Sequence, residues 1–361
     1  MCNFAVQNRK EYMLTKVIDQ ANIDRVEKWF ENAEKIVIVS HVSPDGDAIG
    51  SSLGLYHFLQ TQDKNVHVIV PNQFPDFLKW MPGAKEVILY DRYTDFANRL
   101  ISEADVICCL DINELRRIDN MEEAVKNSKA RKLLVDHHLN PSNFADITIS
   151  HPHISSTSEL VFRLICRLGN FDDITREGAE CIYTGMMTDT GGFTFNSNNR
   201  EVYYIISELL SKGIDKDQIY RNVFNTYSEA RLRLMGYVLY EKMEIFPEFN
   251  TALIWLTKAD QRKFQCKKGD TEGFVNLPLT MKGIRFSCFL REDTEKNMIK
   301  VSLRSVGDFP CNQVASEFFG GGGHLNASGG EVYDTMDKAI DLFKQALVKY
   351  EDQLLGKKKL F

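Results

Sequence analysis

Acidic and imidazole side chains follow apolar runs at four places in the N-terminal part of the chain. In "LLVDHHLNP" (133–141) the apolar run ends directly in Asp136, His137 and His138. One such residue could simply end a strand, whereas three together predict a site. The other three stretches are "IVIVSHVSPDGDAIGSS", "ICCLDINE" and "YTGMMTDTGGF", and they supply His41, Asp45, Asp47, Asp111 and Asp189.

These residue types, brought to one place, would suit divalent cations. If the strands before them are parallel, the side chains converge at one edge of the sheet, and Asp189 can join them from a helix end. Four carboxylates in one crevice would repel one another unless cations lie between them. Oxygen and nitrogen ligands without a thiolate favour Mn²⁺, with Mg²⁺, Fe²⁺ or Co²⁺ as alternatives, and the number of ligands predicts two ions.

Each stretch, taken singly, also has an ordinary structural explanation. "DGD" is commonly a turn, Asp111 could cap a helix, and adjacent histidines are often surface residues. Four stretches of the same kind, each at the end of a predicted element, favour one shared site.

The order of the apolar runs predicts an α/β fold. Short β-rich runs alternate with helical patterns, which is typical of a mostly parallel sheet covered by helices. The predicted strands are 35–40, 65–70, 105–110, 132–136 and 146–150, and the predicted helices are 47–61, 156–168, 175–187 and 200–212. Ligands of such sheets bind beyond the carboxyl ends of the strands.

The remaining sequence predicts a helical connector and a second, smaller α/β domain. Apolar residues recur at helical spacing after Gly213, without a strand pattern, until "PEFN" breaks the pattern. Strands are predicted at 251–257, 284–292 and 298–305, and a closing helix in "MDKAIDLFKQALVKYEDQLL". We therefore expect a catalytic domain at 1–213, the connector at 214–248 and the second domain at 249–361.

The composition is typical of a soluble globular protein, with 43% hydrophobic and 26% charged residues. A net charge of −6 argues against a broad basic surface for long duplex nucleic acid. The eight cysteines form no C-x-x-C pair, and Cys108 and Cys109 lie in an apolar run, which favours reduced core residues and a cytoplasmic location. No apolar stretch is long enough to span a membrane, so we expect no membrane partner.

The four stretches and "FGGGGHLNASGG" (319–330) resemble the motif series of the DHH phosphoesterases that carry a DHH-associated C-terminal domain. The resemblance covers nearly the whole chain and is nearest to the nano-RNase and pAp phosphatase branch, to which "DTEGFVN" and "SLRS" also correspond. It implies that His41 and Asp45 hold one of two Mn²⁺ ions. Asp47 and His137 would hold the other ion, and Asp111 would bridge the two.

The resemblance implies roles for three further residues. Asp189 would complete the metal cluster, and two residues would be catalytic: Asp136, which orients an imidazole, and His138, which faces the scissile phosphate. Two cations can activate a shared water, so the nucleophile would be hydroxide rather than a protein side chain.

Residues of the second domain are expected to bind the phosphate of a substrate. Gly321, Gly322 and Gly323 would let backbone N–H groups approach an anion, and His324 would add a side-chain donor; a flexible linker is the alternative. Arg304, near the end of a predicted strand, could grip a phosphate with two hydrogen bonds, or it could be an ordinary surface residue.

Two other segments leave alternatives open. In "SSTSEL" (155–160), Ser156 resembles the helix start beside the family's active site and is expected to bind substrate, although Ser156 and Glu159 also match a capping box. In "DTEGFVNLPL" (270–279), Phe274 or Asn276 could lie beside a base, and core packing would equally explain Phe274.

The resemblance implies hydrolysis of oligoribonucleotides of a few residues to mononucleotides, and of 3′-phosphoadenosine 5′-phosphate (pAp) to AMP. Short single-stranded RNA or DNA and small nucleotides are the expected partners, and a homodimer is compatible with the sequence. Two alternatives stay open: a phosphodiesterase for cyclic di-AMP or pApA on the same scaffold, and a nucleotide-binding regulator without catalysis.

Overall fold

The computed structural model describes residues 14–267 and 269–356. The chain divides into two compact units, with the boundary between Thr226 and Tyr227. The first unit contains the four stretches with acidic and imidazole residues, and the second contains the glycine run.

The first unit is built on a six-stranded sheet. Its strands are β1 (Lys35–Val39), β2 (Asn65–Val70), β3 (Ile88–Leu89), β4 (Val106–Leu110), β5 (Arg131–Asp136) and β6 (Ile147–Ser150). Their order is β3-β2-β1-β4-β5-β6, and every neighbouring pair is parallel. The predicted sheet is confirmed; the sequence reading missed only β3, because two residues show no periodicity.

Helices cover both faces of this sheet, which explains why its strands are apolar on both sides. In β1, Ile36 and Ile38 belong to one core, and Val37 and Val39 belong to the core on the opposite face. The helices of the unit are α1 (Gln20–Asn32), α2 (Gly46–Thr61), α3 (Thr94–Glu103), α4 (Glu122–Asn127), α5 (Thr157–Arg167), α6 (Arg176–Asp189), α7 (Arg200–Ser211) and α8 (Lys216–Phe224).

The apolar Cys108–Cys109 pair of β4 is divided between the two cores. Both side chains are fully buried, and both thiols are free. Burial raises the pKa of the Cys109 thiol to about 12, so this cysteine stays a neutral core residue.

Glycines allow α2 and α6 to approach closely. A Cβ atom on Gly50 would lie 2.7 Å from the carbonyl oxygen of Cys181 and from the backbone nitrogen of Gly185. One on Gly46, the first residue of α2, would lie 2.2 Å from Thr188 Oγ1, near the end of α6. The start of α2 and the end of α6 are therefore held against each other.

The second unit is built on a mixed six-stranded sheet. Its strands are β7 (Met243–Phe246), β8 (Thr251–Leu256), β9 (Phe286–Glu292), β10 (Ile299–Ser305), β11 (Gly322–His324) and β12 (Ala327–Val332). Their order is β11-β12-β10-β9-β8-β7, and β8 and β9 are parallel whereas the other pairs are antiparallel. The predicted second α/β fold is thus confirmed.

Helices pack on both faces of this second sheet as well. Its helices are α9 (Glu229–Glu241), α10 (Lys258–Lys263), α11 (Cys311–Phe318), α12 (Met336–Lys349) and α13 (Glu351–Leu354). Phe286 and Cys288 share one core with residues of α11 and α12. Phe289, on the opposite face, packs with α9 and with Phe274, so Phe274 is a buried core residue.

The segment 214–248, for which we predict helices alone, contains α8 and α9 and also the edge strand β7. Met243–Phe246 pairs with β8 on one side only, and four residues are too few to show strand periodicity against the helical pattern before them. Among the described residues, no helix is both long and apolar enough to cross a membrane.

Candidate metal centre

The strand order of the first sheet reverses between β1 and β4. Connections leave these two strands in opposite directions, and ligands bind in the crevice that results at their carboxyl ends. His41 follows β1 and Asp111 follows β4, and His41 Nε2 lies 3.3 Å from Asp111 Oδ2. Two of the predicted ligands therefore meet at this point.

Asp45 lies at the start of α2 and has two functions there. Its Oδ1 accepts hydrogen bonds from the backbone nitrogens of Asp47 and Ala48, both at 3.0 Å, so Asp45 is the N-cap of the helix. The same oxygen lies 3.8 Å from His41 Nε2, and half of the Asp45 side chain is exposed. The "DGD" stretch is thus a helix start as well as part of the cluster.

The rings of His41 and His137 are oriented alike. His41 Nδ1 lies 2.9 Å from the carbonyl oxygen of Val42, and His137 Nδ1 lies 3.2 Å from the carbonyl oxygen of Ile154. Since a carbonyl can only accept, Nδ1 carries the proton in each ring. In a neutral ring the lone pair is then on Nε2.

In both rings Nε2 is the nitrogen that faces the carboxylates. His137 Nε2 lies 3.5 Å from Asp189 Oδ2, 3.8 Å from Asp111 Oδ1 and 3.9 Å from Asp47 Oδ2. His41 Nε2 is buried and has no hydrogen-bond partner among the described residues. A nitrogen lone pair that faces carboxylate oxygens is repelled unless a proton or a cation lies between them. These donors therefore fit divalent cations.

Five of the six predicted metal ligands form two groups that share Asp111. Within each group their ligand atoms lie within 4.8 Å of one another. The groups are His41, Asp45 and Asp111, and Asp47, Asp111 and His137, while Asp189 joins the second through His137. The structure thus brings together all six residues that the sequence suggested as metal ligands.

The residues of the cluster shift one another's pKa values. Burial alone would lower the pKa of His41, but the nearby carboxylates of Asp111 and Asp45 outweigh burial and raise the pKa to about 10. Burial raises the pKa of Asp47 well above its usual range, and repulsion from Asp111 and Asp189 adds to this effect. Burial would also raise the pKa of Asp111, yet the adjacent rings of His41, His138 and His137 hold this pKa well below its usual range. The pKa values of these two carboxyl groups are therefore shifted in opposite directions.

Asp136 and His138 form a pair beside this cluster. Asp136 is the last residue of β5 and is fully buried, and His138 Nδ1 lies 2.7 Å from its Oδ1. His138 Nδ1 also lies 3.6 Å from Asp111 Oδ1. Asp136 thus orients an imidazole, and the imidazole is that of His138.

The N-terminus of α5 also contacts the cluster, through a residue that the sequence reading missed. Thr157 donates a hydrogen bond from its hydroxyl to Asp111 Oδ1 and one from its backbone nitrogen to Asp47 Oδ2. Ser156, expected at the substrate, is fully buried, and its Oγ accepts from the backbone nitrogen of Glu159. This geometry favours the capping role for Ser156. The "SSTSEL" stretch indicated the right segment, but its capping pattern did not predict that Thr157, the residue after the cap, contacts the cluster.

In the second unit, Arg304 and His324 lie on the same face of the sheet. The strand register places Arg304 opposite Ala327, and Ala327 opposite His324. Directly opposite residues share a face, and two strand spacings separate the outer pair by about 10 Å. Ser287, opposite Arg304 on the other side, has a buried hydroxyl without a hydrogen-bond partner among the described residues. Three polar residues, Ser287, Arg304 and His324, therefore lie in one row across this sheet together with Ala327, and we call them the polar row.

The glycine run is not a flexible linker, because Gly322–His324 is strand β11. A Cβ atom on Gly321 would lie 1.9 Å from the carbonyl oxygen of Gly329, and Gly323 has a φ of +140° and would collide with Ala327. The hairpin itself therefore requires these two glycines. Gly322 is different, since a Cβ atom there would meet nothing within 4 Å.

Comparison with known proteins identifies the family. The model of the DHH family N-terminal domain matches residues 35–186, and that of the DHHA1 domain matches residues 250–349. The bifunctional oligoribonuclease and PAP phosphatase NrnA of Thermus thermophilus is 32% identical over 309 residues, which cover 85% of each chain. The chain belongs to the DHH family, and the resemblance read from its motifs is confirmed.

Two further proteins are similar over most of this chain. A crystal structure of an exopolyphosphatase-related protein from Bacteroides fragilis is 71% identical, with a TM-score of 0.92, and covers 94% of this chain and 99% of that chain. The cyclic-di-AMP phosphodiesterase PdeA of Listeria monocytogenes is 26% identical over 334 residues, which cover 88% of this chain and 47% of PdeA.

Proposed function

We propose that this protein is a phosphoesterase that uses two divalent cations to hydrolyse short oligoribonucleotides to mononucleotides and pAp to AMP. The observation that carries the proposal is the common orientation of His41 and His137. Each ring has Nδ1 on a backbone carbonyl and Nε2 towards carboxylates, which is the arrangement of metal-binding histidines in proteins. The oligoribonuclease and PAP phosphatase name of the Thermus relative supports the choice of substrates.

In the proposed site, Asp111 is shared between two ligand groups. His41 and Asp45 would hold one cation, and Asp47 and His137 would hold the other. Asp189, at the end of α6, would complete the second group. Mn²⁺ is our first choice for this nitrogen and oxygen donor set, with Mg²⁺, Co²⁺ and Fe²⁺ as alternatives. Two such cations would supply an activated water and neutralise charge on the phosphate.

The protein's own residues would orient the reacting groups. His138, fixed by Asp136, would contact the scissile phosphate through the ring nitrogen that Asp136 does not hold. The raised pKa of Asp47 supports a site in which a bound cation replaces a proton.

We further propose that the polar row of the second unit binds the other phosphate or the nucleotide of the substrate. Arg304 and His324 would supply donors, and Gly322 would leave its backbone open to an anion. Arg304→Ala should lower kcat/KM about 10- to 150-fold, the loss of one charged hydrogen bond. Lys300→Ala is the matched control, because Lys300 lies four residues away on the same strand and pairs with Asp293.

The experiment is a substrate panel with the purified full-length protein. pAp, pApA, cyclic di-AMP and labelled RNA of two to five nucleotides are each incubated with Mn²⁺ and with EDTA, and released phosphate and nucleotides are measured. We expect turnover of pAp and short RNA with Mn²⁺ only, and loss of turnover in His137→Ala. Arg200→Ala, an exposed change at the start of α7, serves as the control.

Two outcomes would contradict the proposal. Rapid hydrolysis of cyclic di-AMP without hydrolysis of pAp or short RNA would favour the activity for which the Listeria relative is named. Tight binding of pAp with no phosphate release in the presence of Mn²⁺ would favour a regulator that binds nucleotides without catalysis.

A further inference from the structure

We infer that Thr157 is a positioning residue that fixes the two buried carboxylates of the metal centre, Asp47 and Asp111, relative to each other. The inference rests on the proposed function, because it concerns the same centre. Thr157 is fully buried, and it contacts both carboxylates directly. These two carboxylates come from different elements, the first turn of α2 and the end of β4.

The two hydrogen bonds come from different parts of Thr157. Its backbone nitrogen donates to Asp47 Oδ2 at 2.6 Å, and its hydroxyl donates to Asp111 Oδ1 at 2.9 Å. The backbone nitrogen of Ser158 donates to the other oxygen of Asp47 at 2.9 Å. Both oxygens of Asp47 are thus held by backbone groups, which no substitution of a side chain removes, whereas Asp111 depends on the hydroxyl.

The orientation of the Asp111 carboxylate matters because its two oxygens face different histidines. Oδ2 lies 3.3 Å from His41 Nε2, and Oδ1 lies 3.8 Å from His137 Nε2. If the Asp111 carboxylate rotated about its Cβ–Cγ bond, one of its oxygens would no longer face its histidine. Asp111 would then no longer be shared by the two ligand groups. A donor on Oδ1 prevents that rotation, and it leaves a second lone-pair direction of the same oxygen for a cation.

The start of α5 is itself held firmly, so Thr157 is a fixed reference for both carboxylates. Ser156 caps the helix by accepting from the backbone nitrogen of Glu159. The Glu159 carboxylate accepts from the backbone nitrogen and the hydroxyl of Ser155, and it pairs with the buried Arg163. These contacts therefore restrain the position of Thr157.

The test compares Thr157→Val with Thr157→Ser in the full-length protein. Valine keeps the shape and the backbone N–H group but lacks the hydroxyl, whereas serine keeps the hydroxyl. Mn²⁺ binding to metal-stripped protein is measured by calorimetry, without substrate. We expect Thr157→Val to bind Mn²⁺ about 10- to 100-fold more weakly, and Thr157→Ser to bind it nearly as the unsubstituted protein does.

Thr251→Val is the matched control. Thr251 is also fully buried, but its hydroxyl donates to the carbonyl oxygen of Phe249 in the second unit. We expect unchanged Mn²⁺ affinity in this variant. A second readout is pAp hydrolysis at saturating Mn²⁺, where Thr157→Val should lower kcat and leave KM unchanged, since the hydroxyl has no proposed contact with substrate. If the valine variant does not fold, Thr157→Ala takes its place with the same expected loss.

The outcomes separate this inference from the proposed function. Unsubstituted protein that binds Mn²⁺ and hydrolyses pAp, together with a Thr157→Val variant that has unchanged Mn²⁺ affinity and only a lower melting temperature, would overturn the positioning role alone. Unsubstituted protein that binds no divalent cation would overturn the proposed function and, with it, this inference.

Discussion

Asp136 holds His138 through both of its carboxylate oxygens. His138 Nδ1 lies 2.7 Å from Oδ1, and the backbone nitrogen of His138 donates to Oδ2 at 3.0 Å. Asp136 is fully buried at the end of β5, so its side chain cannot move without disturbing the strand. The tautomer and the direction of the His138 ring are therefore set by the residue two positions before it.

Asp136→Asn tests whether the orientation of the His138 ring by Asp136 contributes to catalysis. If the amide oxygen accepts from the ring, the amide nitrogen meets the backbone N–H group of His138, and two donors face each other in a buried place. We expect kcat for pAp to fall about 10- to 100-fold with little change in KM. Asp146→Asn is the control, because Asp146 accepts from the backbone nitrogen of Lys132 at the opposite, exposed end of the same sheet. Equal kcat values for both variants and the unsubstituted protein would rule out the orienting role.

The contact between α2 and α6 gives a second prediction, for Gly50→Ala. The new methyl group would lie 2.7 Å from backbone atoms of Cys181 and Gly185, and backbone cannot move aside as a flexible side chain can. We expect a loss of about 1–3 kcal/mol in the free energy of unfolding, and weaker Mn²⁺ binding, since these two helices carry Asp47 and Asp189. Urea unfolding and calorimetry measure the two effects.

Gly236→Ala is the matched control for this glycine. Gly236 is exposed in the middle of α9, and a Cβ atom there would meet nothing within 4 Å. Alanine should therefore raise the free energy of unfolding of the second unit by up to about 1 kcal/mol, through helix propensity. Stability that changes by the same amount and in the same direction in both variants would contradict the role of Gly50 in helix packing.

The sequence was sufficient to predict the first sheet and the convergence of the six acidic and imidazole residues. Apolar runs identify parallel buried strands, and the connectivity of such a sheet places everything after a strand at one edge. His41 and Asp111 illustrate this, since each lies within two residues of the end of a strand and the two are in contact. Thr157 could not be predicted in the same way, because its contacts depend on how the start of α5 packs against α2 and β4, and no local pattern records that packing.

The glycine run shows a second limit of reading the sequence. Four successive glycines are typical both of a linker and of an anion cradle, but two of them are required by the hairpin of β11 and β12. Only the strand register reveals that Gly321 approaches the backbone of Gly329. A glycine that binds an anion through its backbone and a glycine that is required for close packing cannot be distinguished in a sequence.

Gly322→Ala and Gly321→Ala form a pair of variants that separates these two uses. At Gly322 a methyl group has open space, so the fold should be unchanged, and an effect on KM for pAp would come from blocked access of an anion to the backbone. We expect at least a several-fold rise in KM with an unchanged melting temperature. Gly321→Ala should instead lower the melting temperature, because the methyl group would overlap the carbonyl oxygen of Gly329. Unchanged KM in Gly322→Ala would exclude a phosphate cradle at this strand.

A buried ionic network also supports the start of α5. Arg163 is almost fully buried, and its guanidinium contacts Oε1 of Glu159 and Oε2 of Glu201, both at 2.7 Å. Glu201 also accepts from the backbone nitrogen and the hydroxyl of Thr15. Burial alone would raise the pKa of Glu201, but these hydrogen bonds and the charge of Arg163 lower it below its usual value.

Arg163→Met should therefore destabilise the first unit and reduce its sensitivity to acid. At neutral pH, we expect a loss of about 3–5 kcal/mol in the free energy of unfolding, because removal of the arginine leaves buried carboxylates without a counter-charge.

The acid sensitivity follows from Glu201. Since the pKa of Glu201 is lower in the folded than in the unfolded chain, the contribution of Glu201 to stability is complete above about pH 4.5 and disappears as the pH falls through the folded value. In the variant this pKa moves back towards the unfolded value, so the fall in stability below pH 4.5 should be shallower. Urea unfolding at pH 7, 5, 4 and 3.5 measures both effects. Arg176→Met is the control, because it breaks the Arg176–Glu180 pair on the surface of α6. It should lower the free energy of unfolding by less than about 1 kcal/mol and leave the acid sensitivity unchanged. An equal loss of stability in the two variants would show that the buried network stabilises the fold no more than a surface ion pair does.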